Sequence, residues 1–86
     1  MNTGYEIYKD LDALRGSGDP RIQDLKRAAQ EKINEIRRLR LKRELQMRYI
    51  DDMTWDEIAD ASSRNRAETS DAPRKRVKRY IDTLRE

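Results

Sequence analysis

Apolar residues recur along the chain at helical period. Ile7, Tyr8, Leu11 and Leu14 stand at i, i+1, i+4 and i+7, one face of a helix over residues 5–15. Gly16-Ser17-Gly18-Asp19-Pro20 ends that pattern, with Asp19 placed to cap the next helix and Pro20 to enter its first turn. From Arg21 to Ala72 there is neither Gly nor Pro. Ile22, Leu25, Ala29, Ile36 and Leu39 keep close to a 3–4 spacing, with Ile33 alongside. Lys32 interrupts that seam and Arg43 takes its next slot, so it offers about two heptads where a dimeric coiled coil wants three or four. The spacing favours a hairpin, packed against residues 5–15. Leu41, Leu45, Met47, Tyr49 and Ile50 continue the apolar content up to Asp51-Asp52. The pattern therefore allows one helix from Arg21 to Ile50, up to roughly 45 Å long at 1.5 Å per residue, or a helix kinked near Arg37–Arg43.

Thr54-Trp55-Asp56-Glu57 has the form of a capping box, and its acidic first turn suits the positive end of a helix dipole. Trp55, Ile58, Ala59 and Ser62 share one face of the short helix that follows. Residues 63–70 are polar and irregular. A last helix opens around Thr69, Ser70 or Asp71 with Pro73 in its first turn, and Val77, Tyr80, Ile81 and Leu84 form its buried stripe at i, i+3, i+4 and i+7. The expected fold is all-α: an N-terminal helical hairpin or long helix over residues 1–40, then a three-helix, helix-turn-helix unit over residues 41–86.

Composition supports this and excludes much else. Of 86 residues 43% are charged and 35% hydrophobic, with 3 Gly and 2 Pro, too little turn material for a β fold. Cys and His both number 0, which removes thiolate chemistry, disulfides and the usual general base and metal ligand. Ser17, Ser62, Ser63 and Ser70 have no His or Cys companion, and there is no Gly-rich phosphate loop. Asp51-Asp52 is better explained as a helix end than as a cation site. No enzyme activity, cofactor or metal is expected. No apolar run approaches the roughly 20 residues of a membrane span. Residues 37–43, basic on nearly every side, lack the broad apolar face of a membrane-surface helix. Residues 1–6 lack the order of a secretory signal, so a cytoplasmic location is expected.

The net charge of +3 conceals blocks: −2 over residues 1–19, +6 over 20–50, −5 over 51–62 and +4 over 63–86. With Val77 at 0° and 100° per residue, the stripe of the last helix clusters within about 60° of zero. Lys75 and Arg79 point away from it, Lys78 and Arg76 lie on the flanks, and Arg74 is nearer the core edge. The N-terminal part of such a helix meets base edges, and Arg and Lys favour guanine O6 and N7. Lys75, Arg76 and Arg79 are thus candidate base readers. Arg64, Arg66, Ser70, Arg74 and Lys78 are candidate backbone contacts, with Ser70 or Asp71 fixing the helix start. Pro73–Arg79 also fits a loose nuclear-import pattern, but an exposed import ligand has no need of the apolar stripe. Asp51, Asp52, Asp56 and Asp60 are expected away from a duplex, toward another protein or toward Arg48 and Arg43.

The stretch from Leu45 through Arg48-Tyr49-Ile50 and Thr54-Trp55 to Glu57-Ile58-Ala59 resembles the pattern L-x-x-R-Y-I-x-x-x-T-W-x-E-I-A. That pattern belongs to small phage and prophage regulators related to the promoter-reading C-terminal region of bacterial sigma factors. Arg76-Val77-Lys78-Arg79-Tyr80-Ile81 is similar to the second half of their recognition helix. The resemblance covers residues 41–86 and implies duplex DNA binding in phage or bacterial gene control. Two features depart from the family: the connection over residues 64–69 is about four residues longer than its three- or four-residue turn, and Pro73 stands where a β-branched residue is usual. The partner expected is double-stranded DNA, with host transcription or nucleoprotein machinery and a homodimer through residues 5–39 as further partners. An alternative is a phage-encoded inhibitor or adaptor that occupies a nucleic-acid site on a host nucleoprotein.

Overall fold

The computed structural model describes residues 4–62 and 71–85. Regular structure among them is entirely helical: α1 (Gly4–Leu14), α2 (Arg21–Asn34), α3 (Leu39–Leu45) running into a π-helical turn over Gln46–Ile50, α4 (Trp55–Ser62) and α5 (Asp71–Thr83). No described helix is long and apolar enough to cross a membrane.

The link between α1 and α2 uses glycine where only glycine is comfortable. Gly16 and Gly18 have φ of +75° and +73°, the left-handed region that a Cβ disfavours. Asp19 caps α2 from one residue further out than its sequence position suggests: Pro20 takes the cap position, while the Asp19 carboxylate accepts the Arg21 amide at 2.8 Å. The Arg21 side chain closes on the same carboxylate at 2.9 Å, and these hydrogen bonds hold Asp19 below the usual carboxylate range.

One buried cluster joins Ile7, Tyr8 and Leu11 of α1, Ala29 and Ile33 of α2, Leu41 and Leu45 of α3, Tyr49 of the π turn, and Val77 and Ile81 of α5. Tyr8 and Tyr49 meet at its centre, their rings 4.9 Å apart and tilted by 50°. The cluster therefore crosses residue 40, where the sequence suggested a boundary between two units. It takes in most of the apolar stripe of residues 5–39, the candidate dimer surface, while Leu39 stays 65% exposed.

That shared core explains why the long helix does not form. α2 ends at Asn34, its last amides bonding three residues back (Glu35 to Lys32 and Ile36 to Ile33), and Arg38 is extended with ψ of 105°. Neither Gly nor Pro marks the break. In a straight helix Leu45 would lie roughly 18 Å beyond Ile33, past the reach of the 11-residue α1. Turning the chain at residues 35–38 brings Leu41 and Leu45 back onto the same core, and apolar burial at about 25 cal/mol per Å² outweighs the few helical hydrogen bonds given up to water. The π turn then corrects the register. Leu41, Leu45 and Tyr49 are four apart, a spacing that drifts about 40° per step in an α-helix, and the wider turn keeps Tyr49 facing inward, where its hydroxyl donates to Asp12 at 3.1 Å.

The turn into α4 is held from outside. Asp52 has φ of 58°, a left-handed conformation that Asp tolerates better than most residues. The Arg15 guanidinium donates to the carbonyls of Asp52 and Met53 at 2.9 and 3.1 Å, Arg48 donates to that of Met53 at 3.2 Å, and Lys26 pairs with the Asp52 carboxylate at 2.6 Å. The ion-pair partner of Asp52 is thus Lys26, while Asp52 also lies near Arg48, the side toward which the sequence placed it. The capping box forms as expected: the Thr54 amide donates to Glu57 at 2.8 Å and the Glu57 amide to the Thr54 hydroxyl at 3.2 Å.

These Thr54 bonds, the backbone amide first, hold the Glu57 carboxyl below its ordinary value of 4.5. A depressed folded-state value means that the contribution to stability is present above the unfolded value and fades as pH falls through the folded one. Chemical denaturation across a pH series should show the parent more stable than Glu57→Gln at neutral pH, with the gap closing below about pH 4.

Candidate nucleic-acid interface

Local rules account for α5. Pro73 lies in the first turn, where no intrahelical donor is forfeited, and is buried with Val77 and Ile81. Tyr80 and Leu84 are half-buried beside them. Ile58 and Ala59 of α4 are 0% and 2% exposed, and α4 packs against α5. Trp55 is half-buried against the core, with the Arg48 guanidinium 4.5 Å above its ring.

The outward side of α5 presents Lys75, Lys78 and Arg79, all exposed and without a hydrogen bond or ion pair among the described residues. Arg74 is also exposed, but donates to Asp71 at 2.7 Å. Asp82 shares the outward side, so the face is cationic toward the middle of the helix and mixed toward its ends. Arg64, Arg66 and Ser70 lie outside the described residues.

Arg76 departs from its expected role. Its Nε donates to Glu44 Oε1 at 3.0 Å and its Nη2 to Glu44 Oε2 at 2.6 Å, a two-pronged contact that the guanidinium fork is shaped to make. Glu44 is completely buried, while the Arg76 side chain is 34% exposed. The pair fastens α5 to α3, and the hydrogen bonds to Glu44 raise the Arg76 pKa further. A base-reading Arg76 would have to abandon a carboxylate with no access to water. In this structure Arg76 serves as the inner support of the helix.

Sequence reasoning passed over Glu44. A signal was present in the chain: Leu41, Glu44, Leu45 and Arg48 stand at i, i+3, i+4 and i+7, so Glu44 sits on an apolar stripe inside an otherwise basic run. A carboxylate there requires a buried cation, but which of the many arginines supplies it depends on the tertiary fold. The Arg15 clamp gave no such signal. Among the described residues no cluster of three or more acidic side chains is placed to hold a metal ion.

Comparisons with family models, curated proteins and solved structures find no match for this chain.

Removing one member of a buried pair leaves the other charge without compensation. Arg76→Ala should cost about 3 kcal/mol in urea denaturation, whereas Glu44→Leu combined with Arg76→Leu should recover most of that stability.

Proposed function

We propose that the chain is a helix-turn-helix module that binds double-stranded DNA in phage or bacterial transcriptional regulation, with α4 and α5 as the paired helices. The observation that carries this reading is the division of α5: one side is built into the core and clamped through Arg76, while Lys75, Lys78 and Arg79 face outward without acidic partners among the described residues. A rigid helix with a cationic outer face suits the major groove, which is wide enough to admit an α-helix. The sigma-type motif over residues 45–59, with its capping box formed, supports the same arrangement.

In this reading Lys75 and Arg79 contact base edges and Lys78 a phosphate. Arg74 is a weaker phosphate contact, since Asp71 already offsets its charge. Arg64, Arg66 and Ser70 remain proposed backbone contacts. Phosphate contacts set orientation and affinity but carry no base information.

Selection from random duplexes followed by a salt series tests this directly. Lys75→Ala with Arg79→Ala should weaken binding of the selected duplex by about 1–3 kcal/mol for each base-reading side chain removed, and blur the preference at those positions. Lys78→Ala should weaken all duplexes alike and make the slope of log K against log salt shallower by about 0.9. Unchanged affinity and preference in the double variant would remove α5 from the interface.

A further inference from the structure

A groove of about 280 Å³ opens between the start of α3 and the second half of α5. Arg38 and Arg40 approach it from one side and Arg76 and Arg79 from the other, over Leu41 and Tyr80. Among the described residues no carboxylate lines it. Arg76 is held by Glu44, Arg40 is engaged within the chain and Arg79 is assigned to a base edge, so the charge on offer to a phosphate is that of the exposed Arg38. The opposite flank of α5 forms a contrast. A hollow of about 290 Å³ there carries Lys9, Arg74 and Lys78, but also Asp12 and Asp82. An anion entering that hollow meets two carboxylates in its wall, whereas the described wall of the arginine groove holds none and the neighbouring carboxylate, Glu35, lies outside it near Tyr80.

We propose that the arginine groove seats a backbone phosphate of the duplex, beside α5 rather than beneath its base-facing residues. This rests on the DNA-binding reading above for the source of the phosphate. Arg79 belongs both to the outward face of α5 and to the groove wall, so the two surfaces are continuous. Guanidinium groups match phosphate oxygens in pairs. Buried Leu41 and half-buried Tyr80 remove water from one side of the groove, so its charges are screened less than on an open face. A second seat on α3 sets the angle at which α5 meets the duplex, because two separated phosphate contacts fix orientation where one leaves a pivot. Arg38 of the basic run over residues 37–43 thereby has a function other than solvation.

The test uses the intact chain and two variants of equal charge. Arg38→Ala removes an exposed side chain that makes no capping bond, and Arg27→Ala removes an exposed charge on α2 outside the groove. Circular dichroism checks that both stay helical. Dissociation constants are measured for a selected and a scrambled duplex across a salt series. Arg38→Ala should weaken both duplexes by the same factor, and its log–log slope should be shallower than the parent's by about 0.9. Arg27→Ala should keep the parent slope. If Arg38→Ala binds DNA with the parent slope, or if Arg27→Ala weakens binding as much, the groove is not a phosphate seat and the DNA-binding reading stands. If the parent chain binds no duplex in a salt-sensitive way, both fall together.

Discussion

The burial of Glu44 is the constraint around which the other features of the molecule are arranged. An ionised carboxylate cut off from water costs several kcal/mol unless a cation meets it with good geometry, and Arg76 meets it with both arms of its fork. Because Glu44 belongs to α3 and Arg76 to α5, this pairing fixes the rotation of α5 about its own axis. Val77 and Ile81 then turn inward, and Lys75 and Arg79 necessarily turn outward. The cationic face follows from the apolar stripe, and the pairing of Glu44, the one charged side chain fully buried among the described residues, holds it in place.

With 43% of its residues charged, the chain has little apolar material, and most of what the described residues bury lies in one cluster. The break between α2 and α3, the π turn and the tilted contact of Tyr8 with Tyr49 all gather distant apolar residues into that single cluster. Charged side chains then act as ties between elements rather than as mere solvated surface. Arg15 reaches from the end of α1 to the turn before α4, and Lys26 of α2 binds Asp52 in the same turn. Surface pairs of this kind contribute little singly. Here several converge on one left-handed residue, which holds the start of α4 in place and with it the approach of α5.

Division of labour among the arginines follows from exposure. Arg76 and Arg48 are half-buried and serve the fold, one on Glu44 and one on the Met53 carbonyl and the Trp55 ring. Arg38 and Arg79 are exposed on facing sides of a groove that no carboxylate lines among the described residues. Residues of the same type, close together in sequence in the case of Arg76 and Arg79, are thus separated into structural and surface roles by three positions of helical rotation.

Local patterns in the sequence determined the helical class, the helix over residues 5–15, the capping box at Thr54 and Glu57, and the stripe of α5. Each of these depends on residues within about one or two turns of each other, so spacing alone carries the information. The stop at Asn34, the extended Arg38, the π turn and the clamp by Arg15 were decided by tertiary structure. None has a local breaker or cap as its cause; each depends on which distant surface can cover an apolar face. The same holds for Arg76. From α5 alone it is one cation among five in six residues, and only the position of Glu44 across the core draws it inward while leaving its neighbours outside.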